Sequence, residues 1–246
     1  MILRRVIKHF RHQEWTAIAL DFLIVVIGVF VGLQVNNWNE ARLEHRLERQ
    51  YLERLRDDLT RSKLAAVESV EKVQKRTDNE GVMIKALQAC ALDETTRPAF
   101  HDGLRTIGQT QPLSLVRGTL DELQSTGRID LIRNLELRKA INDLLEDYEG
   151  DAKVLEFIVA RFSPQMAYID QRMVRDLPDG IVTAVKYPVA DISISYDFPA
   201  LCKDPHYVSA ISAIRYGNMV IARGENSRVL KYQSILLLLD KELETK

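Results

Sequence analysis

The clearest pattern in the chain is an apolar run near its beginning. Residues 17–35 contain one formal charge, Asp21, and are otherwise almost entirely aliphatic, aromatic or glycine. As an α-helix these residues span about 28 Å, the thickness of one hydrocarbon core. Trp15 and Trp38 flank the run at the depths expected for two interfacial aromatic belts. The pattern predicts a transmembrane helix over residues 15–38. No A-x-A spacing follows it, which favours an uncleaved anchor over a cleaved signal peptide.

A basic amphipathic segment precedes the predicted span. In residues 1–14, apolar side chains recur at helical spacing and cations occupy the other face. Such a segment lies on an anionic leaflet. The contacting cations are predicted to be Arg4, Arg5, Lys8 and Arg11. The positive-inside rule then predicts a cytoplasmic N-terminus and a main domain on the far side, although arginines also follow the span.

Two features inside the span have alternative interpretations. Gly28 and Gly32 form a G-x-x-x-G pair, which lets two helices approach closely, but glycine is also common in membrane helices by chance. Asp21 is a functional candidate because an acid inside a membrane is costly. It also lies close enough to the boundary to reach water or to pair with the basic tail, and we favour this second interpretation.

A long helix is predicted to continue from the span. No glycine or proline occurs between Leu33 and Glu80, and the stretch is rich in strong helix formers. The helix should extend to about Thr77 and at most to Leu92. Apolar side chains recur every four residues in its first half: Leu43, Leu47, Tyr51, Leu55 and Leu59.

The helix start and stop signals in the rest of the chain predict an all-α bundle over residues 39–246. We expect a short helix at Ala99–Gly108 and a helix N-terminus formed by a capping box. The box pairs Thr119 with Glu122, and Gly127 should end that helix. Two longer helices should follow, one beginning near Asn134 and one running from His206 with an interruption near Gly217 or Gly224.

The helix after Asn134 carries ten apolar or aromatic positions at alternating spacings of four and three. They are Ile141, Leu145, Tyr148, Ala152, Leu155, Val159, Phe162, Met166, Ile169 and Met173. This 3.5-residue repeat predicts coiled-coil-like packing, with a kink at Pro164. Beyond it the period changes to two from Asp191 to Phe198, which predicts a small β or extended excursion near 181–198.

The sequence carries no recognisable catalytic or ligand-binding motif. Basic and acidic residues balance, 34 against 35, which argues against nucleic acid as a partner. No two histidines have the H-E-x-x-H spacing, none lies near a cysteine in a zinc pattern, and no phosphate-binding loop or nucleophile motif is present. We therefore expect no catalysis, no cofactor and no metal site. Cys90 and Cys202 could form a bridge in an oxidising compartment, or each could be a small buried hydrophobe.

Two segments resemble a known family. The first is residues 27–40, which end in N-N-W-N-E, with Asp21 upstream. The second contains Thr119-x-x-x-Leu123-x-Ser125-x-Gly127, followed by Leu131-Ile132-x-Asn134. Together they resemble a family of uncharacterised bacterial proteins, a domain of unknown function with one N-terminal span. The resemblance implies a helical protein of the bacterial inner membrane and supplies no activity and no catalytic residues.

The polar residues at the end of the span have two possible roles. They are Asn36, Asn37, Asn39 and Glu40, around Trp38. Their side chains could anchor the helix at the headgroups, which we favour, or could form a docking surface for another membrane protein.

Three functions remain compatible with the sequence. The favoured one is a membrane-anchored interaction or scaffold protein, acting as a homo-oligomer or with a membrane-protein partner. The alternative is a ligand-sensing or accessory subunit that signals through a membrane partner. An enzyme with a site between Pro178 and Pro205 is the least favoured.

Overall fold

The structure is a computed structural model that describes residues 15–176 and 192–244, without the side chains of residues 15–19 and 21. The predicted basic tail, residues 1–14, lies outside the described residues. The chain divides into two units, Met1–Tyr51 and Leu52–Lys246. Of the residues that the structure describes, 82% are helical, and the rest include a small two-stranded sheet, which confirms the predicted fold class.

The described residues form seven helical elements and two strands. In chain order they are α1 (Trp15–Ala89), α2 (Arg97–Thr106), α3 (Gly118–Ser125), a 3₁₀ turn (Ile129–Leu131), α4 (Leu135–Asp170), β1 (Met173–Asp176), β2 (Ser193–Tyr196), α5 (Phe198–Cys202) and α6 (Pro205–Glu244). Helix α1 ends at Ala89, within the predicted limits, because the stretch offers no breaker before Gly81 and Cys90 then adopts a positive φ of 46°.

Helices α4 and α6 pack antiparallel. The ring of Tyr168, near the end of α4, meets His206, near the start of α6, at a centroid distance of 4.2 Å. At the other end, the Asn134 amide donates to a Glu242 carboxylate oxygen at 2.7 Å. Between them, a Cβ atom on Gly217 would collide with the Phe162 ring. Gly217 therefore allows the two helices to approach closely.

The second half of α1 presents a buried stripe to the bundle. Its members alternate at spacings of three and four: Leu52, Leu55, Leu59, Ser62, Ala66, Ser69, Val73, Arg76, Glu80, Met83 and Leu87. This 3.5-residue repeat is that of coiled-coil-like packing. Helix α1 runs antiparallel to α6, because Cys90 is bonded to Cys202, just before α6, while Glu80 contacts Asn218 further along.

Helix α3 is capped differently from the prediction. Its N-cap residue is Arg117, which makes no side-chain cap, so the predicted capping box of Thr119 and Glu122 is wrong. The reason is tertiary: Asp58 on α1 accepts a hydrogen bond from the Thr119 backbone N–H at 3.1 Å, and Glu122 pairs with Arg54 instead.

The end of α3 and the start of α4 follow the prediction. Gly127 has φ of +65°, and the N–H of Arg128 donates to the Leu123 carbonyl at 2.8 Å, which closes a Schellman motif. Asn134 is the N-cap of α4, and its side chain accepts from the Leu137 N–H at 3.0 Å. The short helix predicted at 99–108 is α2, displaced by two residues.

The predicted seam of α4 is correct only in part. Ile141, Phe162 and Ile169 are buried, but Val159 is 39% exposed and its neighbour Ile158 is buried instead. A straight helix has 3.6 residues per turn, so a strict 3.5-residue repeat drifts off the buried face. Helix α4 continues through Pro164 and ends at Asp170. Met173 therefore lies beyond the helix, in β1, although it is buried as predicted.

The predicted excursion contains β2. It pairs antiparallel with β1, with Met173 opposite Tyr196 and Asp176 opposite Ser193. Residues 181–191 of the excursion lie outside the described residues. The interruption predicted in the last helix is wrong, since α6 runs unbroken through Gly217 and Gly224. Packing of a long helix supplies more stability than the roughly 1 kcal/mol that one helical glycine costs.

Candidate membrane-interface site and buried polar cluster

The apolar segment of α1 is exposed along its whole described length. Its large hydrophobic side chains, from Leu20 to Trp38, have exposed fractions between 45% for Val26 and 70% for Phe22. A contiguous apolar surface of this kind marks an interaction or membrane site. By length and composition, the segment is a candidate membrane span.

Polar contacts begin where the apolar run ends. The Asn36 amide donates to a Glu40 carboxylate oxygen at 2.8 Å, one helical turn away. The Arg42 guanidinium lies 5.7 Å from the centroid of the Trp38 ring, a cation–π distance. Asn37 and Asn39 are exposed. The arrangement resembles an interfacial belt, in which an aromatic ring and polar groups mark the edge of a hydrocarbon layer.

The two glycines of the span form an open surface. A Cβ atom placed on Gly28 or Gly32 would meet nothing within 4 Å among the described atoms. Residues four apart lie on one helical face, so the pair leaves a shallow depression there. The side chain of Asp21 and the cations of residues 1–14 lie outside the described residues, and their roles stay predictions.

A second group of polar residues is buried between α1 and α6. Glu80 has no exposed surface, and its Oε1 accepts a hydrogen bond from the Asn218 amide at 2.8 Å. Arg215 donates from Nε to the Thr77 carbonyl at 2.9 Å, and Arg76 donates to the Gln109 carbonyl. Among the described residues, Glu80 Oε2 has no hydrogen-bond partner. Two guanidinium groups therefore share the neighbourhood of one carboxyl group.

The ionisation of Glu80 is shifted by this environment. Burial raises its pKa to about 7, and the opposing effects of the Asn218 hydrogen bond and of Arg76 and Arg215 are smaller. Burial also lowers the pKa of Arg76, against the attraction of Glu80. The cluster thus places a partly neutral carboxyl group beside two cations.

Neither the apolar stripes nor any known motif in the sequence reveals this cluster. A signal was nevertheless present. The stripe of α1 continues at its spacing of three and four through Ser69, Val73, Arg76 and Glu80, so polar residues occupy core positions of an otherwise regular repeat.

Cys90 and Cys202 are joined in a disulfide, the first of the two alternatives that the sequence left open. Their Cα atoms are 5.2 Å apart, within the normal range for a bridge. The bond links the residue after α1 to the last residue of α5.

The part of the chain that the structure describes contains no group of three or more His, Cys, Asp or Glu side chains able to hold a metal ion. One histidine, His101, contacts a tyrosine: its Nε2 lies 2.8 Å from the Tyr196 hydroxyl. Burial and the neighbouring Arg105 and Arg97 lower the pKa of His101.

These observations define a predominantly helical protein with one exposed apolar segment at the start of a long helix. Residues 21–101, about a third of the chain, match the family model described as "Family of unknown function (DUF6090)". The match confirms the resemblance to an uncharacterised family. It begins at Asp21 and includes the polar residues around Trp38 at the end of the apolar run. No curated protein and no solved structure matches the chain.

Proposed function

We propose that the protein is a single-span membrane protein whose helical domain works outside the cytoplasm as an interaction or scaffold module, without catalysis. The main support is the exposed apolar surface from Leu20 to Trp38. Exposing so many large apolar side chains to water is costly, at about 25 cal/mol for each Å², and a bilayer removes that cost.

The disulfide supports one orientation of the protein across the membrane. Disulfides persist in oxidising compartments and are rare in the bacterial cytoplasm. Cys90 and Cys202 belong to the unit Leu52–Lys246, so we place that unit in the periplasm and the basic tail in the cytoplasm. This agrees with the positive-inside argument from Arg4, Arg5, Lys8 and Arg11, which also gives the tail an anionic leaflet to bind.

The sidedness can be tested from the oxidation state of the two cysteines in cells. Growing cells are quenched in acid, and free thiols are alkylated with a maleimide polymer that retards the protein on a gel. We expect no retardation before reduction and two added polymers after it. Both thiols free in growing cells would place this domain in a reducing compartment and refute the proposed topology.

The open surface of Gly28 and Gly32 supports self-association through the span. The test is the mass of the native complex extracted in mild detergent, with its components identified. We expect a complex that contains only this protein, in two or more copies of 28.2 kDa each. Replacing both glycines by leucine should dissociate it, whereas the control pair Val26→Leu and Phe30→Leu, with the same spacing on another face, should not. A lone monomer without any partner would refute the scaffold proposal.

A second candidate function is that of an accessory subunit in a larger membrane complex. It is favoured by the exposed amides of Asn37 and Asn39, which are free to meet a polar partner at the edge of the span. In the same extraction, a second membrane protein in a fixed ratio, retained by the glycine variants, would support this candidate over self-association.

A further inference from the structure

A groove lies between α1 and α2 and the loop that follows α2. Its volume is about 410 Å³, which lies in the range of small-molecule sites. Lys72, Lys75, Arg76 and Asn79 line one wall. Their spacings of three and four place them on one face of α1. The groove is separate from the exposed apolar segment and belongs entirely to the unit Leu52–Lys246.

The charge in this groove is predominantly positive. Lys72 pairs with Glu68 at 2.5 Å, but both side chains are more than half exposed, so the pair is well screened. Lys75 makes no ion pair with any residue that the structure describes. Asp102 is the one acid on the lining, and its Oδ1 accepts from the Arg105 guanidinium at 3.1 Å.

One of the lining cations is buried. Arg76 is 5% exposed, and the acid whose charge acts on it is Glu80, which also lies beside Arg215 and accepts from Asn218. Two guanidinium groups thus face one carboxyl group, and the burial that raises the pKa of Glu80 weakens its compensation of Arg76. A buried cation without full compensation is costly, and an anion in the groove would relieve that cost.

Neutral donors complete the lining. The side chains of Asn79, Gln109 and Gln111 carry amide N–H groups, which can donate to an oxyanion. More of the exposed lining is carbon than polar atoms, which suits a ligand with an apolar body. A small inorganic anion would leave that surface wet.

We propose that this groove binds a small organic oxyanion, a carboxylate or a phosphate ester, with its charged end toward Lys75 and Arg76 and its carbon body along the groove. The cations provide charge-assisted hydrogen bonds, which are about twice as strong as neutral ones. The assignment rests on the groove and its charges and does not depend on the membrane topology.

The test uses the full chain in neutral detergent, without added lipid, and three aromatic probes of similar size: phenyl phosphate, benzoate and benzyl alcohol. Binding is measured by titration calorimetry and by the shift in the midpoint of thermal unfolding. We expect saturable binding of at least one of the two oxyanions and none of the neutral alcohol. Which oxyanion binds more tightly identifies the headgroup chemistry.

The variants separate the groove from general charge. Arg76 is buried and its replacement endangers folding, so Lys75→Gln, an exposed position, carries the test; it should weaken oxyanion binding about tenfold. Lys85→Gln removes an equal charge from an exposed position on α1 outside the groove lining and should leave binding unchanged. No saturable binding of either oxyanion, equal binding of benzyl alcohol, or equal effects of the two variants would overturn the proposal.

Discussion

The buried carboxyl group of Glu80 should make the stability of the helical domain depend on pH. Its pKa is raised from the usual 4.5 to about 7, mainly by burial. One pKa unit corresponds to 1.36 kcal/mol, so the shift corresponds to about 3 kcal/mol of folding free energy. The folded chain holds this proton more tightly than the unfolded chain. The contribution is therefore fully present below pH 4.5 and is lost as the pH rises to about 7.

The substitution Glu80→Gln isolates this effect. Glutamine cannot ionise, has nearly the same shape, and keeps a carbonyl oxygen that can accept from Asn218. The unfolding free energy of the variant minus that of the wild type should therefore increase by about 3 kcal/mol between about pH 4.5 and pH 8. Other carboxyl groups contribute equally to both proteins and cancel in this difference.

The assay is urea unfolding of the full chain in detergent micelles, followed by far-ultraviolet circular dichroism at several pH values across this range. Glu71→Gln serves as the control, because Glu71 is an exposed residue on the same helix. Its effect should stay within about 0.5 kcal/mol at every pH. If Glu80→Gln instead destabilises the protein by the same amount at all pH values, Glu80 is ionised throughout and acts as an ion-pair partner of Arg76 and Arg215. That result would refute the reasoning.

Three further predictions concern packing, the disulfide and capping. Gly217→Ala should destabilise the protein by about 1–3 kcal/mol in urea unfolding, because the new Cβ atom collides with the Phe162 ring. The control Gly224→Ala, where nothing lies within 4 Å of the new atom, should be neutral or stabilising by up to about 1 kcal/mol. Equal effects of the two substitutions would contradict the close approach of α4 and α6. Cys90→Ser should lower stability by about 2–4 kcal/mol relative to the oxidised protein and should have little effect under reducing conditions. Asp58→Asn should lower the free energy of unfolding by about 1 kcal/mol near neutral pH. Burial raises the pKa of Asp58, but hydrogen bonds from Thr119 and Arg61 outweigh it and lower the pKa, so this loss should shrink as the pH falls below 4. A loss that does not depend on pH would refute this reasoning.

Local signals in the sequence predicted most of the helix boundaries. Gly127 and Asn134 each have a strong short-range role, a left-handed C′ position and a side-chain N-cap, and both occur where expected. Thr119 carries an equally strong signal, but the cap of α3 comes from Asp58, sixty-one residues earlier in the chain. Sequence spacing does not reveal such a tertiary cap. The interruption expected near Gly217 or Gly224 is wrong for the same reason, since a partner helix determines whether a glycine breaks a helix or permits contact.

The candidate sites show the same difference between signals from neighbouring residues and contacts between residues distant in sequence. The apolar run and its flanking tryptophans are continuous in sequence, so composition was sufficient to locate a candidate span. The cluster around Glu80 joins residues from α1 and α6 that lie 138 positions apart. Each of its members looks like an ordinary charged helix residue in isolation. Only the regular spacing of the α1 stripe indicated that Arg76 and Glu80 occupy core positions.

The bond between Cys90 and Cys202 has a topological consequence. It closes a covalent ring that contains α2, α3, α4, both strands and α5. Helix α1 precedes the ring in the chain, and α6 follows it. A single peptide-bond cleavage anywhere from residue 91 to residue 201 opens the ring but releases no fragment. The two segments that carry the buried polar cluster, one ending at Ala89 and one starting at Pro205, thus stay joined after such a cut, and only reduction separates them.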